Sequence, residues 1–200
     1  MLRTIATFAA TALLSTAALA LTVGSPAPAF TSADTLSGKP IALADFKGKT
    51  VVLEWNNPDC PFVKKFYSVG AMQELQKTAT ADGVVWISIN SSAPGKEGFL
   101  KEPGQAKSFV ATQKAHPSYY LLDPAGTVGH AYGAKTTPHM FVIDAKGNLA
   151  YEGAIDNKPT ADSADIATAT NYVSEALKAL KAGTPIKTAT SQPYGCFVKY

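Results

Sequence analysis

Residues 50–66 of the chain read TVVLEWNNPDCPFVKKF, and this stretch decides the fold. The run TVVLEWN is rich in residues that favour β-structure and is apolar on both faces except at Glu54, which is typical of a central strand covered on both sides. Pro61 suits the first turn of a helix, where its missing N–H costs nothing. An apolar stripe then predicts that this helix continues to about Ala79. Cys60 is therefore expected between a buried strand and a helix.

The remaining segments alternate between strands and helices. We predict strands at about 41–43, 84–89, 119–122, 139–143 and 149–154, and helices at about 105–115, 124–132 and 161–182. The last two strands flank the turn AKGN at 145–148, which indicates a β-hairpin. A long loop is predicted at 90–104. This order predicts an α/β fold, in which a central mixed β-sheet with an antiparallel edge is flanked by helices.

The first twenty residues differ in composition from the rest of the chain. They combine one early positive charge, an Ala/Leu-rich middle and the small-residue ending ALA, which is typical of a secretory signal peptide over 1–20. The alternative is an uncleaved membrane anchor, since the uncharged run is about long enough to span a bilayer. Export to the periplasm, or secretion, would place the two cysteines of the chain in an oxidising compartment.

One domain is predicted over 21–200, with an N-terminal extension and a C-terminal tail at 184–200. The formal net charge of the chain is +3, and no basic cluster exceeds the pair Lys64 and Lys65. A charge this small and dispersed excludes a nucleic-acid surface. The sequence predicts no bound cofactor.

The position of Cys60 favours nucleophilic chemistry. The positive end of a helix dipole and free N–H groups stabilise a thiolate, and Lys64 and Lys65 add positive potential, whereas Asp59 opposes it. A thiolate is the attacking species in disulfide exchange. Glu54 is the second unusual residue, because a carboxylate in a buried strand is costly unless it is paired or protonated. It is expected either to exchange protons with a leaving thiolate or to be paired with a lysine at a partly solvated strand end.

Two longer stretches resemble a known family. DFKGKTVVLEWNNPDCPFVKK at 45–65 and YGAKTTPHMFVIDAKGNLAYEGAID at 132–156 are similar to thioredoxin-fold redoxins, in particular to a peroxiredoxin-like (AhpC/TSA-related) exported branch. The tail YGCFVKY at 194–200 is also typical of that branch. The resemblance implies a thioredoxin-like fold. It also implies that Cys60 is the first cysteine of a CxxC motif, Glu54 a buried acid behind it and Pro138 a cis-proline facing the site.

The motif departs from the family at one position. Val63 stands where the second cysteine of CxxC would be, so the usual disulfide within the motif cannot form. Peroxiredoxins carry their peroxide-reactive cysteine at that second position, and a Thr or Ser three residues earlier, where this chain has Cys60. The resemblance therefore does not extend to the peroxidase residues, and peroxide reduction is not expected.

Cys196 is the remaining candidate for a resolving thiol. We predict an exported thiol-disulfide oxidoreductase in which Cys60 attacks a protein or small-molecule disulfide, Glu54 assists proton transfer, the backbone at Pro138 aligns the partner chain and Cys196 resolves the mixed disulfide. Three alternatives stay open. Cys60 and Cys196 form a structural disulfide, the chain is a peroxiredoxin-like antioxidant protein, or the fold serves as a binding or copper-delivery module, for which the candidate ligands are Cys60, His116, His130 and His139.

Overall fold

The computed structural model describes residues 21–200. Its strands in chain order are β1 (Thr31–Ala33), β2 (Pro40–Ala42), β3 (Val51–Trp55), β4 (Val85–Asn90), β5 (Tyr119–Leu122), β6 (Thr136–Thr137), β7 (His139–Ile143), β8 (Leu149–Gly153) and β9 (Cys196–Phe197). The helices are α1 (Pro61–Tyr67), α2 (Ala71–Ala81), α3 (Pro103–Gln113), α4 (Thr127–Tyr132) and α5 (Tyr172–Ala182). Two 3₁₀ helices cover Leu43–Phe46 and Ser163–Thr168.

A five-stranded mixed sheet forms the centre of the fold, with the order β5-β4-β3-β7-β8. Strand β3 runs parallel to β4 and antiparallel to β7, and β7 and β8 form the predicted antiparallel hairpin at one edge. All five residues of β3 are buried. The predicted central strand and the predicted α/β architecture are therefore confirmed.

Each face of the sheet carries its own apolar cluster, because successive side chains of a strand point to opposite faces. Leu53 and Trp55 of β3 pack with Val128 and Tyr132 of α4 on one face. Val52 packs on the other face with residues of α1, α2 and α5, and Cys60 belongs to this second cluster. The helices thus cover both sides of the sheet, and the candidate nucleophile lies in a closely packed region.

The helix predicted from Pro61 to about Ala79 is interrupted, and that prediction was wrong. Helix α1 ends at Tyr67 and α2 begins at Ala71. Gly70 lies between them with φ 78°, a left-handed conformation that glycine adopts readily. The break lets α2 change direction while its buried residues Met72 and Gln76 remain on the sheet.

The other corrections concern the ends of elements. Helix α3 covers Pro103–Gln113 rather than 105–115, and α4 covers Thr127–Tyr132 rather than 124–132. The closing helix predicted at 161–182 is divided into the 3₁₀ helix Ser163–Thr168 and α5. Asn171 causes this division, since its side-chain oxygen accepts a hydrogen bond from the Ser174 N–H and caps α5. Gly183 ends α5, as predicted.

The tail after α5 returns along the sheet to the start of α1. Ser191 donates its N–H to the Glu152 carbonyl on β8, at 3.0 Å. Farther on, β9 pairs antiparallel with β6, which places Cys196 opposite Thr137. The sequence did not predict β6, β9 or their pairing.

The predicted signal peptide, residues 1–20, lies outside the described residues. Within residues 21–200, no helix has the length and apolar character needed to cross a membrane.

Replacing Gly70 tests the origin of the break between α1 and α2. A Gly70→Ala substitution places a side chain at a left-handed φ of 78°, which costs about 1–2 kcal/mol. We expect the free energy of unfolding, measured by urea denaturation, to fall by that amount. The matched control is Gly104→Ala, because Gly104 lies in α3 with no positive φ and open space around it. A loss at Gly104 equal to that at Gly70 would contradict the explanation.

Candidate active site

Cys60 lies where the sequence predicted, after the central strand and immediately before α1. It is the N-cap residue of α1, with extended backbone angles, and Pro61 is the first residue of the helix. Its side chain is completely buried. In the structure as it stands, an external reagent therefore cannot reach the sulfur.

The surroundings of the Cys60 sulfur differ from the expected set of N–H donors. No backbone N–H of α1 bonds to the sulfur, because the N–H groups of Val63 and Lys64 donate to the Cys60 carbonyl at 3.0 and 2.9 Å. The sulfur instead lies 3.0 Å from the Thr137 carbonyl oxygen and 2.7 Å from the sulfur of Cys196. A carbonyl oxygen accepts hydrogen bonds, so it pairs with the S–H form of the cysteine.

Cys196 is brought to Cys60 by the pairing of β9 with β6. Both cysteines are free thiols, and their sulfurs lie somewhat farther apart than the roughly 2.05 Å of a disulfide bond. Burial is the main cause that raises the pKa of Cys196 to about 12, and its contact with the Cys60 sulfur adds to the shift. Cys196 therefore keeps its proton near neutral pH while Cys60 lies beside it.

The Thr137–Pro138 peptide bond is cis, as the family resemblance implied. The carbonyl of Thr137 is the group that contacts the Cys60 sulfur. The hydroxyl of Thr136 donates to the Pro138 carbonyl at 2.9 Å. Cys60, Cys196 and the peptide before Pro138 thus converge at one point.

Glu54 lies in a buried hydrogen-bond network rather than at a solvated strand end. The residue is completely buried, no lysine pairs with it, and no hydrogen bond joins it to either cysteine among the described residues. Five side chains donate to its carboxylate at 2.8–3.0 Å: Asn56 and Tyr67 to Oε1, and Gln76, Trp86 and Ser88 to Oε2. Of the two alternatives for Glu54, pairing with a lysine at a partly solvated strand end was wrong. The N–H groups of Asn56, Gln76 and Trp86 can only donate, so three of these five contacts require an acceptor oxygen on Glu54.

Two tyrosines complete the network around Glu54. Burial raises the pKa of both Tyr67 and Tyr120 well above the ordinary value, and the charge of Glu54 raises it further. Both hydroxyls therefore stay protonated and act as donors, Tyr67 to Glu54 and Tyr120 to the Asn56 side-chain oxygen at 3.1 Å. Asn56 begins the loop that leads to Cys60, so the network holds that loop in place.

Lys65 has a different role from the one predicted for it. Its ammonium group is buried, lies 3.5 Å from Asp156 Oδ2 and donates to the Lys158 carbonyl at 2.7 Å. The hydroxyl of Tyr194 donates to the other oxygen of Asp156. The charge of Lys65 is therefore compensated, and the ion pair anchors the chain two residues before Cys196.

A second anchor lies after Cys196. The ring of Tyr200 stacks on His130 with centroids 4.0 Å apart, and its hydroxyl donates to the Ala134 carbonyl at 2.9 Å. A Cβ atom at Gly126 or Gly129 would lie 2.5 Å from the Tyr200 ring or hydroxyl, so the two glycines create the space that it occupies. We call this space the Tyr200 notch.

Sequence reasoning missed both anchors. The tyrosines that flank Cys196 in YGCFVKY were the available signal, but their partners are distant in sequence.

The candidate metal ligands are not gathered around Cys60. His139 is buried, and its Nδ1 accepts a hydrogen bond from the Lys135 N–H at 3.2 Å, whereas His130 stacks on Tyr200. His116 is exposed on another part of the surface. Within residues 21–200, no group of three or more His, Cys, Asp and Glu side chains lies close enough together to hold a metal ion.

Comparison with known proteins yields relatives of both sequence and structure. The hydroperoxy fatty acid reductase gpx1 of Synechocystis sp. is 26% identical over 153 residues, which cover 68% of this chain and 90% of that protein. The crystal structure of an uncharacterized conserved protein from Geobacillus kaustophilus has a TM-score of 0.73 at 26% identity, covering 90% of this chain and 93% of that chain. A secreted disulfide oxidoreductase of Mycobacterium tuberculosis, homologous to E. coli DsbE, has a TM-score of 0.52 at 24% identity, covering 76% of this chain and 96% of its own.

The sheet order, the cysteine at the start of α1 and the folds shared with these structures define a thioredoxin-like protein. A model of the Redoxin family matches residues 22–170. The chain therefore belongs to the Redoxin family, and the resemblance drawn from the sequence is confirmed.

Removing the negative charge of Glu54 tests the network. Glu54→Gln replaces one acceptor oxygen with an NH₂ group that faces the donors of Gln76, Trp86 and Ser88 or those of Asn56 and Tyr67. Leaving buried donors without acceptors costs about 1–3 kcal/mol each. We expect the free energy of unfolding in urea to fall by about 3 kcal/mol. The exposed Glu175→Gln change in α5 is the control, and a loss at Glu54 below about 1 kcal/mol would contradict this role of the network.

The buried His139 predicts a loss of stability in mild acid. Burial, assisted by the charge of Lys135, lowers the pKa of His139 to about 3. An unfolded histidine takes up its proton near pH 6.5, so the unfolded state binds the extra proton first as the pH falls. The contribution is fully present above about pH 6.5 and is lost towards pH 3.

Urea denaturation between about pH 6.5 and 4.5 measures this effect. We expect the wild-type protein to lose about 1 kcal/mol per pH unit more than His139→Gln does. The exposed His116→Gln variant should keep the wild-type slope. Equal slopes for the wild type and His139→Gln would show that His139 does not cause the acid sensitivity.

Proposed function

We propose that this protein is an exported thiol-disulfide oxidoreductase in which Cys60 is the nucleophile and Cys196 the resolving thiol. The observation that carries the proposal is the 2.7 Å approach of the two sulfurs beside the Thr137–Pro138 cis peptide. Cys60 lies at the start of a helix, as the first cysteine of a CxxC motif does. Because Val63 occupies the second cysteine position of that motif, the second thiol comes from Cys196 in the tail. The signal-like residues 1–20 and the secreted structural relative support export.

The reaction transfers two electrons from the thiol pair to a substrate disulfide. The Cys60 thiolate attacks one substrate sulfur, the substrate S–S bond breaks and the first substrate thiolate leaves. Cys196 then loses its proton and attacks the Cys60 sulfur, which releases the second substrate thiol and forms a Cys60–Cys196 disulfide. An external dithiol reduces that disulfide and restores both thiols.

Glu54 supports this reaction by position. Its network fixes Asn56, which begins the loop to Cys60. Both carboxylate oxygens accept hydrogen bonds from the five donors, and neither bonds to a cysteine sulfur. We therefore assign Glu54 as a positioning residue in place of the predicted proton-transfer role. Pro138 belongs to the site through the carbonyl before it, which contacts Cys60.

A second candidate function is hydroperoxide reduction, which is favoured by the relative that reduces hydroperoxy fatty acids. A hydroperoxide would oxidise the Cys60 thiolate to a sulfenic acid and leave as an alcohol. The sulfenic acid would condense with the Cys196 thiol to give the same disulfide and water. The two candidates differ in the oxidant and share the thiol pair.

The stoichiometry of reaction with a small aromatic disulfide tests the proposed function. We expect the reduced wild-type protein to release two aromatic thiols per chain, because Cys196 resolves the adduct formed on Cys60. Cys196→Ser should release one thiol and retain the other as a mixed disulfide, and Cys60→Ser should not form the internal disulfide. Mass spectrometry of the unreduced protein identifies each product.

Two results would overturn the proposal. One is a Cys196→Ser protein whose Cys60 does not react with the disulfide. The other is a Cys60–Cys196 disulfide that a mild dithiol does not reduce, which would indicate a structural bond. Consumption of an organic hydroperoxide with a dithiol as reductant, absent in Cys60→Ser, would support the second candidate.

A further inference from the structure

The tail from Cys196 to Tyr200 is bound as an extended peptide. Cys196 and Phe197 pair with Thr137 and Thr136 of β6. The Val198 N–H donates to the Lys135 carbonyl at 3.0 Å, and the Lys199 carbonyl accepts from the Ala93 N–H at 2.7 Å. We call the surface beneath residues 196–200 the seat. These contacts involve backbone groups alone, so they fix the register of an extended chain on the seat and do not depend on its side chains.

Side-chain contacts of the tail are confined to particular positions. Phe197, one residue after the cysteine, is 76% exposed and makes no specific contact. Val198 packs against the apolar cluster of the sheet. The ammonium of Lys199 lies 3.3 Å from the Glu97 carboxylate, and Tyr200 fills the notch formed at Gly126 and Gly129. The seat thus has an apolar, an acidic and an aromatic-accepting position, at the second, third and fourth residues after the cysteine.

This tail segment must leave its seat before a substrate can react. Cys60 is completely buried with the tail in place. The chain before Cys196 is held separately, because Tyr194 is bonded to Asp156 in the buried ion pair. Gly195 lies between the held part and the departing part, with φ 137°, and a Cβ atom there would clash with the Thr137 carbonyl oxygen. Departure of residues 196–200 leaves the Lys135 carbonyl and the Ala93 N–H without partners.

We propose that the surface beneath residues 196–200 is the substrate-binding surface, and that it selects extended cysteine-containing peptides of the pattern Cys–x–apolar–basic–aromatic. The tail is then an internal copy of the preferred substrate, which competes with that substrate and later resolves it. This inference rests on the proposed function, since it names the substrate class of the same site.

The experiment uses a full-length protein whose tail is weakened by Cys196→Ser and Tyr200→Ala. The probe is a synthetic peptide of sequence GCFVKY whose cysteine carries a thionitrobenzoate group. The Cys60 thiolate attacks the peptide sulfur, the S–S bond of the probe breaks and thionitrobenzoate leaves with the electron pair. The absorbance of the released thionitrobenzoate measures the rate at which Cys60 reacts with the peptide. The matched control peptide has the same composition, with the residues after the cysteine reordered so that the basic and aromatic positions are lost.

We expect the matched peptide to react about tenfold faster than the reordered one, a factor that corresponds to about 1.4 kcal/mol. Gly129→Ala, added to the same protein, fills the Tyr200 notch and should lower the ratio of the two rates, because only the contact of the basic residue with Glu97 then distinguishes the peptides. Gly104→Ala, at an open position of α3, should leave the ratio unchanged. Thermal unfolding of each variant verifies that it is folded.

A small aromatic disulfide, tested on the same protein, distinguishes failure of the proposed substrate class from failure of the proposed function. If it reacts with Cys60 and the two peptides react equally fast, the proposed substrate class is wrong and the proposed function stands. If neither the small disulfide nor the peptides react, both proposals fail. A rate ratio that stays high in the Gly129→Ala protein would show that the notch does not bind the aromatic residue, and would overturn that part of the pattern.

Discussion

The carboxylate of Glu54 is the constraint on which the rest of the site depends. A buried charge is tolerated only when its surroundings supply hydrogen bonds, and here the five donors come from β4, α1, α2 and the loop after β3. All five are satisfied together only when those elements are packed in one arrangement. Asn56 extends the network to Tyr120 on β5 and begins the loop to Cys60. The geometry around Cys60 therefore depends on the hydrogen bonds of one buried carboxylate.

The second half of the site is assembled by the tail, through two anchors of different chemistry. The hydroxyl of Tyr194 donates to Asp156 of the buried ion pair, and its release leaves a buried carboxylate oxygen without that hydrogen bond. Tyr200 is held by stacking and one hydrogen bond near the end of the chain. The first anchor is the more costly to disrupt, so the segment between them is expected to open from the Tyr200 end. The chain is thus held on both sides of Cys196, by Tyr194 before it and by Tyr200 after it.

Local patterns in the sequence predicted the position of Cys60 between a strand and a helix, and they did not predict the partners of Glu54 or the position of Cys196. TVVLEWN followed by a proline indicated a central strand, a helix start and the place of Cys60, all of which depend on neighbouring residues. Glu54 was recognisable as a charge in an apolar run, but its partners could not be predicted, because Gln76, Trp86 and Ser88 meet it only through tertiary packing. Lys65 was interpreted as a charge near Cys60, and only the folded chain reveals Asp156 beside it. The pairing of Cys196 with Thr137, 59 residues apart, has no local signal at all.

The separation of the two cysteines along the chain, 136 residues, links the redox state of the site to the folding of the whole domain. Oxidation would close a loop that contains four of the five strands of the central sheet, all except β3. Loops of this length restrict the unfolded chain by about 5 kcal/mol. By thermodynamic linkage, the free energy by which the disulfide stabilises the fold equals the free energy by which the fold stabilises the disulfide. A partly unfolded chain would therefore hold a Cys60–Cys196 disulfide less tightly than the folded chain, and this bond would be reduced more readily before the fold is complete.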